Sequence, residues 1–142
     1  EFKLQIICEW DDSIKINILK HFTDVEFCGF VPDLPSKIAN TIMIVPINIG
    51  SGIRMKILEA ISNGVPLVST SIGAQGLPLE DKKDCFITDN PQTFVEDILL
   101  LKDESKREKI ILNAQKKISK EYSMAHLKKT RLDIYSAKYQ AL

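Results

Sequence analysis

The segment from Thr41 to Ser69, TIMIVPINIGSGIRMKILEAISNGVPLVS, decides the fold. Thr41–Val45 is a short apolar, β-branched run, the pattern of a buried strand, and Pro46 stops it. Asn48–Gly52 is a glycine loop. Ile53–Asn63 reads as a helix with Gly64 as its C-terminal stop. Pro66–Ser69 (PLVS) returns to strand pattern. Strand, helix and strand joined by short loops make a parallel βαβ unit.

The same alternation extends outward. Upstream, Lys3–Cys8 (KLQIIC) and Val25–Cys28 (VEFC) read as strands. Between them Asp11, Asp12 or Ser13 caps a helix from about Ile14 to Phe22, with Ile14, Ile18 and Phe22 on one stripe. Gly29–Pro35 (GFVPDLP) is a loop, and Pro35 opens a short helix ending near Asn40. Downstream, Cys85–Thr88 (CFIT) is a fifth strand, and Asn90-Pro91 opens a helix reaching about Leu101. A helix over Ser105–Glu121 carries Ile110, Ile111, Ala114 and Ile118 on one face. A last helix from about Ser123 has Leu127, Arg131, Ile134 and Lys138 at helical spacing, a thinner stripe suited to a surface. No internal repeat or long linker divides the chain.

This pattern predicts a doubly wound, Rossmann-like parallel sheet with C-terminal helices. Such sheets bind ligands outside the carboxyl ends of their strands. Here those ends are the loops Glu9–Ser13, Gly29–Pro35, Pro46–Arg54 and Thr70–Pro78.

Composition narrows the function. The 142 residues carry 19 Lys+Arg against 19 Asp+Glu. A balanced charge excludes a general polyanion binder, whether for nucleic acid or an anionic membrane. It leaves room for a local anion site built from backbone amides and one or two cations. Cys8, Cys28 and Cys85 lack zinc-site spacing and read as small buried side chains in a reducing cytoplasm. No apolar run approaches the roughly 20 residues of a membrane-spanning helix.

The local anion site falls at Pro46–Glu59, PINIGSGIRMKILE. Glycines let backbone approach a ligand, and a helix N-terminus offers unpaired N–H groups and a positive dipole end. Arg54 and Lys56 lie in the first helical turn, where cations oppose the dipole; a bound anion reconciles them. The loop has no Gly-Lys-Ser/Thr and is not a dinucleotide fingerprint. On pattern alone, a plain turn before a helix remains the rival reading.

The run from Phe27 to Leu77 resembles the nucleotide-sugar-binding half of retaining glycosyltransferases of family 4 (group 1), with the GT-B fold. The residues that carry the resemblance are Gly-Phe-Val-x-Asp at Gly29–Asp33, Gly-Ser-Gly-x-Arg-x-Lys at Gly50–Lys56, and Leu-Glu-Ala at Leu58–Ala60. Gly-x-Pro-Leu-Val-Ser-Thr at Gly64–Thr70 and Gly-Ala-x-Gly-Leu at Gly73–Leu77 complete them. The flanking helices extend it over nearly the whole chain.

The resemblance implies a function. Residues 1–142 would be the donor domain of a two-domain enzyme that transfers a sugar, with retention, from a nucleotide diphosphate sugar to a glycan or lipid-linked acceptor. Residues 123–142 would form a helix crossing toward an N-terminal acceptor domain. Glu59 would accept hydrogen bonds from the ribose hydroxyls, which suits a carboxylate. Gly50, Ser51, Gly52 and Ile53 would bind the diphosphate part of the substrate. Arg54 and Lys56 would stabilise the leaving diphosphate around an oxocarbenium-like transition state. Phe30 or Val31 would contact the base. The scheme needs no metal or other cofactor, and no Asp-x-Asp motif occurs. The implied setting is polysaccharide biosynthesis in the cytoplasm, with peripheral association of the whole enzyme at the inner membrane face.

The chain departs from the family pattern in two ways. Many members carry two glutamates with seven residues between them; eight residues before Glu59 stands Ser51, so the first carboxylate is absent. The βα unit that opens the family's domain, with its basic pair, has no counterpart here. The edges it would cover are expected to rearrange, to pair with a second chain, or to be filled by an upstream segment. The donor fragment alone is expected to bind nucleotide without turnover.

A non-catalytic nucleotide-binding or receiver-like domain is the alternative. A receiver requires an aspartate ending the third strand, and Val45-Pro46 stands there. An interaction role for the Lys-rich segment Lys102–Lys138 competes with an ordinary solvated face, since Asp and Glu interleave with the lysines.

Overall fold

A computed structural model describes residues 2–139. The elements run β1 (Leu4–Ile6), α1 (Asp12–His21), β2 (Val25–Phe27), α2 (Leu34–Ile38), β3 (Met43–Val45), α3 (Met55–Ser62), β4 (Leu67–Ser69), β5 (Phe86–Ile87), α4 (Pro91–Leu100), α5 (Glu104–Glu121) and α6 (Met124–Tyr139). The order matches the sequence reading throughout. The strands are shorter than expected, and residues 140–142, part of the segment expected to form the last helix, lie outside the described residues.

All strand pairing is parallel. β1 pairs with β2, Ile6 opposite Phe27, and β4 lies between β3 and β5, with Val45 opposite Ser69 and Val68 opposite Phe86. No ladder joins the two sets among the described residues. The chain forms two compact units, Glu1–Lys37 and Ile38–Leu142.

In the second unit the sheet is covered on both faces, which is why its strands read as continuous apolar runs. Side chains alternate strictly. Met43, Val45, Leu67, Cys85 and Ile87 pack with Ile57, Leu58 and Ile61 of α3 and with Ala114 and Ile118 of α5. Ile42, Ile44, Val68 and Phe86 pack on the other face with Phe94, Ile98, Leu101 and Ile110. The Asn90 side chain caps α4 as expected, accepting from the Gln92 and Thr93 N–H groups ahead of Pro91, and α5 is capped by Asp103, which accepts from Lys106 N and which the sequence reading did not name. Lys117 of α5 bonds Glu80 and, at 2.7 Å, the buried Asp84, fixing α5 to the segment before β5. These lysines, Lys117 first and then Lys83, hold the Glu80 carboxyl down at about 2.

The first unit is less covered. Asp11 caps α1 as expected, accepting from Ser13 N at 2.8 Å. α1 buries no residue, and Ile14 and Phe22 of the expected apolar stripe are 46% and 62% exposed. Periodicity identified the residues that share a face but not what covers it. Strand Leu4–Ile6 is likewise half-buried rather than buried. Of the three cysteines only Cys85 is fully buried, its thiol pushed up to about 12 chiefly by burial; Cys8 and Cys28 are half-buried.

Candidate functional site

The loop after β3 and the start of α3 carry the residues expected to form the anion site. Helix α3 begins at Met55, two residues later than Ile53, because Arg54 holds extended backbone (φ −83°, ψ 93°). Arg54 is therefore the N-cap, and Lys56 is the second helical residue. A capping position normally holds a residue whose side-chain oxygen takes the first free N–H groups. Here no side chain caps the helix. Its first amide donors and positive dipole end therefore have no side-chain partner.

Arg54 lies back over the loop. Its Nη1 donates to the Ser51 carbonyl at 3.3 Å, and its Nε is buried without a hydrogen-bond partner. A buried, unsatisfied guanidinium N–H costs stability in the ligand-free fold. Gly50 makes this posture available: its φ is +148°, and a Cβ there would stand 2.2 Å from Arg54 Nη2. Gly52, at φ +83°, has nothing within 4 Å of its own Cβ position, so its backbone borders open space. Ser51 is exposed, and Ile53 Cγ1 lies 3.4 Å from where a Gly76 Cβ would stand, against the loop after β4.

One turn into α3, Ile57, Leu58, Ala60 and Ile61 are buried, whereas Glu59 is exposed on the opposite side. Asn63 bonds the Glu59 backbone carbonyl, not its side chain. Among the described residues the Glu59 carboxylate and the Lys56 ammonium have no hydrogen-bond or ion-pair partner. The structure thus brings Gly50–Gly52, Arg54, Lys56 and Glu59 onto one loop and helix.

The loop after β4 is tightly built. Thr70 Oγ1 accepts from Gly73 N at 3.1 Å and donates to the Ile47 carbonyl. A Cβ on Gly73 would stand 2.3 Å from Ser69 Oγ and 2.8 Å from the Val45 carbonyl. Ser71 donates N–H and O–H to Asp89, which holds that carboxyl below its usual range.

In the first unit, Phe30 and Val31 follow β2 on the loop the sequence singled out. Phe30 is 80% exposed. Its N–H donates to Glu9 Oε1 at 3.2 Å, a contact that the sequence reading missed. The available signals were an acidic residue just past the first strand and a glycine before Phe30; Gly29 has φ +60°.

An α/β fold of parallel sheets closed by C-terminal helices is shared with solved GT-B glycosyltransferase structures. HepE of Anabaena in complex with UDP is 19% identical, with a TM-score of 0.78 over 96% of this chain and 41% of that one. Sucrose-phosphate synthase from Thermosynechococcus elongatus is 12% identical, with a TM-score of 0.79 over 99% of this chain and 39% of that one. The C-terminal domain of LpcC, a glycosyl transferase group 1 family protein from Francisella tularensis, is 20% identical, with a TM-score of 0.61 over 79% and 60%. The chain thus spans less than two thirds of each of these structures, 39–60% of their length. Residues 1–104 match the family described as Glycosyl transferases group 1. The chain belongs to that family. A search of curated proteins gave no match.

Among the described residues, no helix is long and apolar enough to cross a membrane.

Proposed function

We propose that this chain is the donor-binding part of a glycosyltransferase that moves a sugar from a nucleotide diphosphate sugar to a glycan or lipid-linked acceptor with retention. The observation that carries the proposal is the uncapped N-terminus of α3, with the orphaned Arg54 Nε beside Gly50–Gly52. The backbone of Gly50–Ile53 and the Arg54 guanidinium take the diphosphate. Lys56, unpaired in the same turn, adds charge. As the sugar–phosphate bond breaks, negative charge grows on the diphosphate, and preorganised N–H donors and a cation stabilise it without reorganising. Glu59, on the exposed side of the same helix, takes the ribose hydroxyls. Phe30 or Val31 contacts the base, as the family resemblance implies.

Support for the ligand class comes from HepE, solved with UDP, with UDP and glucose, and with UDP-glucose. The acceptor is held by a further domain of the whole protein, which acts in the cytoplasm at the inner membrane face. Glu59→Ala tests the assignment. It should weaken binding of a nucleoside diphosphate at least about tenfold, the cost of hydrogen bonds to a charged acceptor, and leave inorganic pyrophosphate nearly unchanged. Equal weakening of both ligands removes Glu59 from ribose contact.

A further inference from the structure

The loop assigned to the diphosphate has little to hold it in place by itself. Among the described residues, positions 48–52 make one hydrogen bond, from Arg54 Nη1 to the Ser51 carbonyl, and that bond is local. The loop is held from its two ends, and both ends rest on the loop after β4. At the far end Ile53 lies against Gly76, where a Cβ would stand 3.4 Å from Ile53 Cγ1. At the near end the half-buried Ile47 packs on the core, and its carbonyl accepts from Thr70 Oγ1. Among the described residues no other donor reaches that carbonyl. Thr70 is buried. Its hydroxyl is fully used: it accepts from Gly73 N at 3.1 Å and gives its single proton to Ile47, which is nearer than the Val45 carbonyl at 3.4 Å. The Val45 carbonyl does not depend on the hydroxyl, since it accepts from Thr70 N at 3.2 Å. The Thr70 side chain therefore ties loop to loop and not strand to strand.

Backbone donors stabilise growing charge only where they are aimed, and a misplacement of about 1 Å can cost about a hundredfold in rate. A fixed Ile47, shortly before Gly50, sets where the loop amides stand. Resting on the donor-nucleotide reading above, we propose that Thr70 is a positioning residue: it touches no ligand and, through its bond to Ile47, sets the diphosphate-binding loop Gly50–Ile53. The task requires a hydroxyl, because the group must accept from an N–H and donate to a carbonyl at once. Serine keeps both functions. Valine has the shape of threonine and neither function.

The ligand-free chain, Thr70→Val and Thr70→Ser are first compared by amide proton–nitrogen correlation spectra. The expected result is displaced or broadened signals of Gly50, Ser51 and Gly52 in Thr70→Val and parent-like signals in Thr70→Ser. A threonine serving only its own loop would leave these three signals in place, because they share no hydrogen bond with it. Calorimetry with inorganic pyrophosphate and with UDP, GDP and ADP follows. Thr70→Val should weaken pyrophosphate and whichever nucleotide binds by the same factor, about tenfold, the worth of a hydrogen bond to a charged group. Thr70→Ser should restore most of that affinity. If Thr70→Val does not fold, Thr70→Cys, whose thiol is a weak donor, takes its place in every arm. Unchanged glycine signals, unchanged affinity, a loss confined to nucleotides, or a Thr70→Ser as weak as Thr70→Val overturns the proposal while the donor-nucleotide reading stands on the parent's binding. A parent that binds none of the four ligands overturns the donor-nucleotide reading instead, and the glycine signals then decide alone whether Thr70 sets the loop.

Discussion

A Cβ atom at Gly50 would stand 2.2 Å from Nη2 of Arg54. The glycine and the arginine are therefore one device: the loop is bare where the guanidinium folds back over it. Gly50→Ala is expected to push the end of the Arg54 side chain off the loop and to strain a backbone at φ +148°. The strain costs on the order of 1 kcal/mol, and the fold survives because the displaced atoms end a flexible side chain. Pyrophosphate affinity should fall about tenfold or more, the worth of a hydrogen-bonded charge. Calorimetry alongside a thermal melt checks both halves.

Arg54→Met separates binding from stability. It removes a buried Nε that has no partner and a single 3.3 Å bond to the Ser51 carbonyl. Tm should stay within about 3 °C of the parent, while diphosphate binding drops at least about tenfold. A large fall in Tm would show that Arg54 serves the fold and not a ligand.

Gly73→Ala should behave in the opposite way. The added Cβ meets the Val45 carbonyl at 2.8 Å and Ser69 Oγ at 2.3 Å, packed groups of β3 and β4 that cannot swing aside. Overpacking of this kind costs roughly 1–3 kcal/mol, and urea unfolding should show it. A stability equal to that of the parent would mean the loop after β4 can shift.

Acid should loosen the attachment of α5. Glu80 has its folded-state pKa lowered from 4.5 to about 2, by Lys117 first and then Lys83. A depressed carboxyl contributes stability above its unfolded pKa and loses it as pH falls through the folded value. The contribution is present above about pH 5 and is lost between there and about pH 2. Lys117→Ala should be less stable than the parent at pH 7, where it leaves the buried Asp84 with no cation and only the Glu80 N–H as a partner, and the difference should shrink toward pH 3. Urea midpoints at pH 7, 5, 4 and 3 measure this; a difference independent of pH would assign the effect to packing of the lysine stem.

The order of elements was legible because each strand of the second unit is apolar on both faces and each helix carries its own stop or cap. Gly64, Asn90 and Asp103 sit at the boundaries their residue types predict. The residues proposed for the anion site, Gly50–Gly52, Arg54 and Glu59, could be singled out together because they fall on one short stretch. Their arrangement could not be read. A one-dimensional pattern does not show that Arg54 stays extended and delays the helix to Met55, nor that its Nε is left without an acceptor. The stripe of α1 failed for a similar reason: Ile14, Ile18 and Phe22 share a face whether or not anything packs on it. The contact from Phe30 N to Glu9 links residues 21 apart, and only the register of β1 on β2 brings them together.

The account rests on a nucleoside diphosphate binding at the start of α3. Isothermal titration of the chain with UDP, GDP and ADP, with pyrophosphate as reference, tests it most directly. The account predicts saturable one-to-one binding of at least one of the three, tighter than pyrophosphate because Glu59 adds the ribose contact. A folded sample that binds pyrophosphate as tightly as every nucleotide, or binds none of the four, would contradict it.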